Sequence, residues 1–102
     1  MMSKASREIA VIIAACNAEA YIAEALESVL KQTLKPVEIV VVDDASEDTT
    51  ADIVSTHYAH RGVDLILLDE RSWMAKARNI GAAATTAPLL LFWDADDIMP
   101  DN

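Results

Sequence analysis

Apolar residues along this chain gather in two alternating patterns. Short, largely apolar runs recur at Ile9 to Ala14, which is rich in β-branched residues, and at Glu38 to Val42, Val63 to Leu68 and Leu89 to Trp93. Each predicts a buried strand. Between them the apolar positions follow a helical period. Tyr21, Ile22, Ala25, Leu26, Val29 and Leu30 form one stripe within Ala20 to Gln32, and Ile53, Val54, His57 and Tyr58 form a second. A third helix is expected over the alanine-rich Ala75 to Ala84, after a loop from Asp69 to Met74. Asn17 and Ser46 stand where helix caps are expected, with Glu47 and Asp48 in the first turn of the second helix. Glu27 and Lys31 have the i,i+4 spacing of a helical ion pair. Lys35-Pro36, Gly62 and Pro88 punctuate the units, and Met1 to Arg7 reads as a frayed start. Strands that alternate with helices predict an α/β domain with a Rossmann-like, mostly parallel sheet.

The last strand changes the picture. Leu89-Leu90-Leu91-Phe92-Trp93 shows no alternation, so both faces are expected to be covered, with Phe92 and Trp93 as core residues. The chain continues only eight residues past Asp94. One domain over residues 1–102 is therefore expected to be the first half of something larger.

That strand runs directly into Asp94-Ala95-Asp96-Asp97, and the second strand runs into Asp43-Asp44. Clustered carboxylates repel unless a cation or a donor-rich ligand shares the site, and their hard oxygens suit Mg²⁺ or Mn²⁺. Two carboxylate-tipped strands in one parallel sheet point to one crevice at its carboxyl end. The plainer alternative is that aspartates simply end strands and begin turns, one of the Asp43-Asp44 pair capping the turn at Ser46. Arg78, with Asn79 beside it on the alanine-rich helix, suits a carboxylate or phosphate partner, or a surface salt bridge. Cys16 is better read as a small buried residue than as a nucleophile, and His57 as a helix-boundary residue rather than a ligand.

Bulk properties narrow the field. A net charge of −9 disfavours a nucleic-acid backbone as partner. A single cysteine allows no internal disulfide and fits a reducing, cytoplasmic setting. No apolar run is long enough to span a bilayer, although a longer parent could sit at the cytoplasmic membrane face. The two glycines, Gly62 and Gly81, leave no glycine-rich phosphate loop.

The runs Val11-Ile12-Ile13-Ala14-Ala15-Cys16-Asn17, Ala25 to Thr33, Val40-Val41-Val42-Asp43-Asp44-Ala45-Ser46-Glu47-Asp48-Thr49, Ala77-Arg78-Asn79-Ile80-Gly81 and Phe92 to Asp97 occur in the order and spacing of one family. Over about Ile9 to Asp101 the chain resembles the nucleotide-sugar-binding half of a family 2 glycosyltransferase of the GT-A fold. The resemblance implies strand order 3-2-1-4 and a nucleotide-diphospho-sugar ligand, most commonly a UDP-sugar. It implies that Ala14, Cys16 and Asn17 border the base, Asp43 hydrogen-bonds it, and Asp44 lies by the ribose or supports the loop. Arg78 would lie near the diphosphate. Asp94-Ala95-Asp96 would be the DxD motif, with Asp94 and Asp96 toward a Mn²⁺ or Mg²⁺ ion, Asp96 nearest, and Asp97 in support. Transfer to an acceptor hydroxyl would invert the anomeric centre, using a base beyond residue 102, so this chain alone is expected to be inactive. With order 3-2-1-4, Leu89 to Trp93 would be an edge through which chains self-associate.

Four positions depart from the family pattern. Ala14 replaces a common proline, and Cys16 a common aromatic. Ala45 and Trp73 stand where glycine is usual, and if those sites keep a positive φ the backbone is strained. Two alternatives compete: a receiver-like phosphoacceptor domain, disfavoured because its acidic pair would follow the first strand, and a non-catalytic nucleotide-binding or interaction module.

Overall fold

The computed structural model describes residues 9–32, 36 and 38–94. Four strands, β1 (Ile9–Ala15), β2 (Glu38–Asp43), β3 (Val63–Leu67) and β4 (Leu89–Asp94), form one sheet in the order β3-β2-β1-β4. All three pairings are parallel. Helices α1 (Ile22–Leu30), α2 (Thr50–His57) and α3 (Met74–Ala83) fill the connections, with a 3₁₀ turn at Ala59–Arg61. The expected topology and strand order are present.

Alternation along the two central strands divides the core. Val11, Ile13, Ala15, Ile39 and Val41 turn toward α1 and α2, where they meet Ile22, Leu26, Val29, Val54 and Tyr58. Ala10, Ile12, Ala14, Val40 and Val42 turn to the other side and meet Ala77 of α3. There Gly81 is required by contact: a Cβ on it would lie 2.4 Å from Ile12 Cγ2 and 3.0 Å from Val42 Cγ2. The missing side chain lets α3 lie close on the sheet.

Several local expectations are corrected. Asn17 and Ser46 cap neither helix; the N-cap residues are Tyr21 and Thr49, and neither makes a side-chain cap bond. Helix α2 starts only at Thr50, because Asp48 Oδ1 takes the Thr50 N–H (2.9 Å) and ends the preceding turn there. His57 is exposed and leaves the inner stripe to Ile53, Val54 and Tyr58. Glu27 reaches across to Arg61 (2.7 Å) and the Tyr58 hydroxyl (2.9 Å), tying α1 to the segment after α2, while Lys31 on its own helix adds only a weaker Coulombic attraction. Strand β4 is not buried on both faces: as an edge strand it exposes Leu89, Leu90, Leu91 and Phe92 by 38–53%. Trp93 does pack against the α1–α2 side of the core, whereas Phe92 does not.

Candidate functional site at the carboxyl rim of the sheet

Strand register brings three tips together. Ala15 of β1 stands beside Asp43 of β2, and Ala14 of β1 beside Asp94 of β4. The backbones of Asp43 and Asp94 therefore flank the end of β1, two strand spacings or roughly 10 Å apart. The two acidic strand ends share one rim, as a crevice at a parallel sheet requires. Asp96 and Asp97 lie outside the described residues, and among the described residues no group of three or more His, Cys, Asp or Glu is arranged to hold a metal.

The loops above β1 and β2 are fastened to each other by bonds that span about thirty positions of sequence. The Asn17 N–H donates to Ser46 Oγ (2.8 Å), and Glu47 N–H donates back to Asn17 Oδ1 (2.8 Å). Ala18 N–H donates to the buried Thr50 Oγ1 (2.8 Å), and Glu19 N–H to Asp48 Oδ2 (3.1 Å). Asp43, itself buried, accepts the Ser46 hydroxyl through Oδ1. Ser46 is thus the joint between the turn after β1 and the carboxylate that ends β2.

Asp44 has a different environment. Its side chain is fully buried. One oxygen accepts the Ser72 N–H (2.6 Å) and hydroxyl (2.8 Å); the other accepts the Trp73 N–H (2.8 Å) and faces Arg71 Nε at 3.3 Å. Burial is the largest influence on this carboxyl and pushes its pKa up. The Ser72 and Trp73 donors and the Arg71 charge together outweigh it, so the pKa lies below the usual value. Of its two expected roles, loop support is the one the geometry displays. In the sequence the segment from Asp69 to Met74 reads as a loop in which Trp73 replaces a common glycine, with no sign within it of its hold on Asp44. The signal for its role was Asp44 itself, since a carboxylate placed directly after a buried strand needs donors from elsewhere.

Cys16 is partly buried at the end of the β1 turn. Burial is the main cause that raises its thiol pKa. Arg71 pulls it down and Asp44, Asp43 and Asp48 push it up, so all four charges act on the mouth of this turn. The thiol is held in its protonated, weakly nucleophilic form. Arg78 is half-buried on α3, one position past the core residue Ala77.

Among the described residues, three that are not glycine have positive φ, and all three ring this rim: Asn17 (φ 52°), Ala45 (φ 57°) and Trp73 (φ 72°). Asparagine tolerates the left-handed region; alanine there costs about 1–2 kcal/mol. Trp73, with ψ 161°, occupies a region that is essentially reserved for glycine and costs about 1–3 kcal/mol. The strain expected at Ala45 and Trp73 is present, and in each case a strand-end carboxylate is bonded nearby.

A parallel α/β sheet with acidic strand ends on one rim, crossing loops above it and a cation-bearing helix alongside belongs to the class of open α/β domains whose ligand crevice lies at the carboxyl ends of the strands. Comparison with known proteins narrows the class. Residues 10–102 match the model for "Glycosyl transferase family 2". An uncharacterized glycosyltransferase, alr2836, of Nostoc sp. is 38% identical over 93 residues, which are 89% of this chain and 29% of that protein. The crystal structure of S. aureus TarS 1-349 in complex with UDP superposes with a TM-score of 0.83 at 33% identity, over 93% of this chain and 29% of that one. The mannosyltransferase PcManGT of Pyrobaculum calidifontis, in complex with GDP-Man and Mn²⁺, gives a TM-score of 0.82 at 28% identity, over 91% and 28%. The chain belongs to glycosyl transferase family 2 and has the fold of the GT-A enzymes. It spans under a third of the length of these relatives.

Proposed function

We propose that this domain is the donor-binding part of a glycosyltransferase, which holds a nucleoside-diphospho-sugar for transfer of the sugar, with inversion, to an acceptor hydroxyl. The observation that carries this is the shared rim: β2 and β4 flank β1, so the Asp43 and Asp94 backbones border one crevice beside α3. The UDP complex of TarS and the GDP-Man and Mn²⁺ complex of PcManGT, two proteins of the same fold, support it.

In this assignment the Ala14–Asn17 turn borders the nucleobase and Asp43 bonds to its edge. Ser46 keeps the Asp43 carboxylate in one orientation, and Arg78 faces the diphosphate. Asp94 and Asp96 are the proposed ligands for Mn²⁺ or Mg²⁺. Their fit is chemical: hard carboxylate oxygens, two residues apart, begin at a strand end whose backbone borders the crevice. A bound divalent ion would offset the charge of the departing nucleoside diphosphate. Arg78 would add a fixed cation to the same charge, and the crossing loops would hold the base without rearrangement. A general base must come within about 3 Å of the attacking hydroxyl, and none of the donor contacts is free for that task.

Calorimetric titration with UDP and GDP, with and without Mn²⁺, tests the assignment. Binding should require the metal, and Asp96→Ala should remove most of the metal dependence. Equal binding by Asp96→Ala and the parent in manganese would overturn it.

A further inference from the structure

Arg71 and Trp73 have no part in the donor contacts just assigned, yet the rim is built around them. Trp73 is 66% exposed, the most exposed large apolar side chain among the described residues. It belongs to neither core cluster. Its backbone nevertheless holds a conformation suited to glycine, and the buried Asp44 fixes it there through the Ser72 and Trp73 N–H groups. Strain of this kind persists only where the surroundings over-determine it, and it concentrates at ligand clamps. The Arg71 guanidinium lies over the indole, 4.1 Å from the ring centroid, while its Nε faces Asp44. The ring is thus backed by a cation on a rigid pedestal and otherwise open to solvent. Burial of the ring does not account for the strain, because the ring is not buried.

We propose that the Trp73 indole, backed by Arg71, is the platform on which the nucleobase of the donor stacks. The proposal rests on the donor-binding assignment and adds the residue that receives the face of the base. Location supports it. The Asp44 N–H donates to Ala15 O (2.8 Å), which ties the pedestal to the end of β1, and the Arg71 charge reaches the Cys16 thiol in the next turn. The platform therefore borders the Ala14–Asn17 turn, whose outward positions are the small, partly buried Cys16 and the exposed Asn17. Asp43, across that turn, supplies an acceptor for the edge of the base, and Trp73 supplies a face. Stacking of this kind accepts either a purine or a pyrimidine, so Trp73 sets affinity for the base and Asp43 sets the choice among bases.

The test measures binding of UDP, GDP and inorganic pyrophosphate, all in Mn²⁺, by the parent, Trp73→Gly and Trp73→Phe. Glycine takes the observed backbone conformation without strain, so Trp73→Gly should have a thermal midpoint at or above that of the parent. It should weaken the preferred nucleotide roughly five- to a hundredfold, leave pyrophosphate unchanged, and be largely rescued in Trp73→Phe. Nucleotide binding by Trp73→Gly equal to the parent would overturn the platform and leave the donor assignment standing. Loss of pyrophosphate affinity in step with nucleotide would show a structural role and overturn it equally. A folded parent that binds neither nucleotide would overturn the donor assignment itself.

Discussion

Against one face of the sheet, Ile22, Leu26, Val29, Val54 and Tyr58 press on Val11, Ile13, Ile39 and Val41. Against the other, the buried contribution of α3 is Ala77 and the bare backbone at Gly81. The first face is held by apolar area. The second buries little side chain and is held at its ends. Asp44, just past β2, grips Ser72 and Trp73 where α3 begins. Glu38, at the start of β2, accepts the Thr85 hydroxyl just after α3 ends, and Thr85 Oγ1 in turn accepts the Ala87 N–H at 3.1 Å. One strand thus carries a carboxylate at each end, and each holds one end of the same helix. Area tolerates small displacements; end clamps fix position. The clamped helix is the one that carries Arg78 and follows Trp73.

The contrast predicts different failures. Leu26→Ala, on the area-held face, should cost the most, about 2–5 kcal/mol in chemical denaturation, because it opens a cavity at a fully buried site. Asp44→Ala should cost about 2–4 kcal/mol, through the charge-assisted bonds it removes, and should weaken nucleotide binding beyond what the stability loss explains. Gly81→Ala should cost about 1–3 kcal/mol by overpacking, and Ile12→Val in the same chain should recover part of that. If Gly81→Ala is neutral, α3 is not seated as closely as described. The smallest effect has the opposite sign. Ala45→Gly relieves a left-handed alanine and should gain about 0.5–1 kcal/mol, once the added flexibility of the unfolded chain is subtracted.

Acid should loosen the hold of Asp44 on the start of α3. The Asp44 pKa is lowered in the folded state, so its stabilisation is complete above the unfolded carboxyl value of about 3.9 and fades as pH falls through the lower folded value. Asp48 and Glu27 are lowered as well, Glu27 by its Arg61 partner first, and they follow the same sign. Thermal midpoints of the parent and Asp44→Asn should converge below pH 4. A constant gap down to pH 2 would mean that the charge of Asp44 is irrelevant.

The area-held face was largely legible in the sequence. Its strands are β-branched runs, and α1 has a complete apolar stripe, so the periodicity of burial is written locally. The clamped face was not. Ala75 to Ala84 reads as a helix, but nothing local says that its ends are fixed by Glu38 and Asp44, dozens of positions earlier. Asn17 and Ser46 were expected as caps because caps are local; the fold instead spends both on bonds between two loops. The run at β4 misled for a related reason. Continuous apolarity reads as burial on both faces, whereas in the described residues this strand borders β1 alone and stays exposed. At the rim, the strained positions at Ala45 and Trp73 were visible only as substitutions for expected glycines; the pedestal beneath Trp73 joins it to Asp44, 29 positions earlier, and leaves no local trace.

Two carboxylates on one strand also act as a gauge. From Glu38 to Asp44 the strand advances six residues, roughly 20 Å. From Trp73 to Thr85 a helical path advances twelve, roughly 18 Å. The two spans match because the extended backbone covers about twice the distance per residue, so the strand calibrates how many residues the helix contains. A one-residue insertion in α3 would turn everything beyond it by about 100°. If it fell before Arg78, that residue would leave its present face of the helix while both ends remained fastened, unless the extra residue were absorbed as a π-bulge. Length in this helix is therefore under the same constraint as chemistry. Relatives of the same fold should vary freely in the identity of the outward residues of this helix but not in their number, and an alignment of such relatives over α3 should contain substitutions and no gaps.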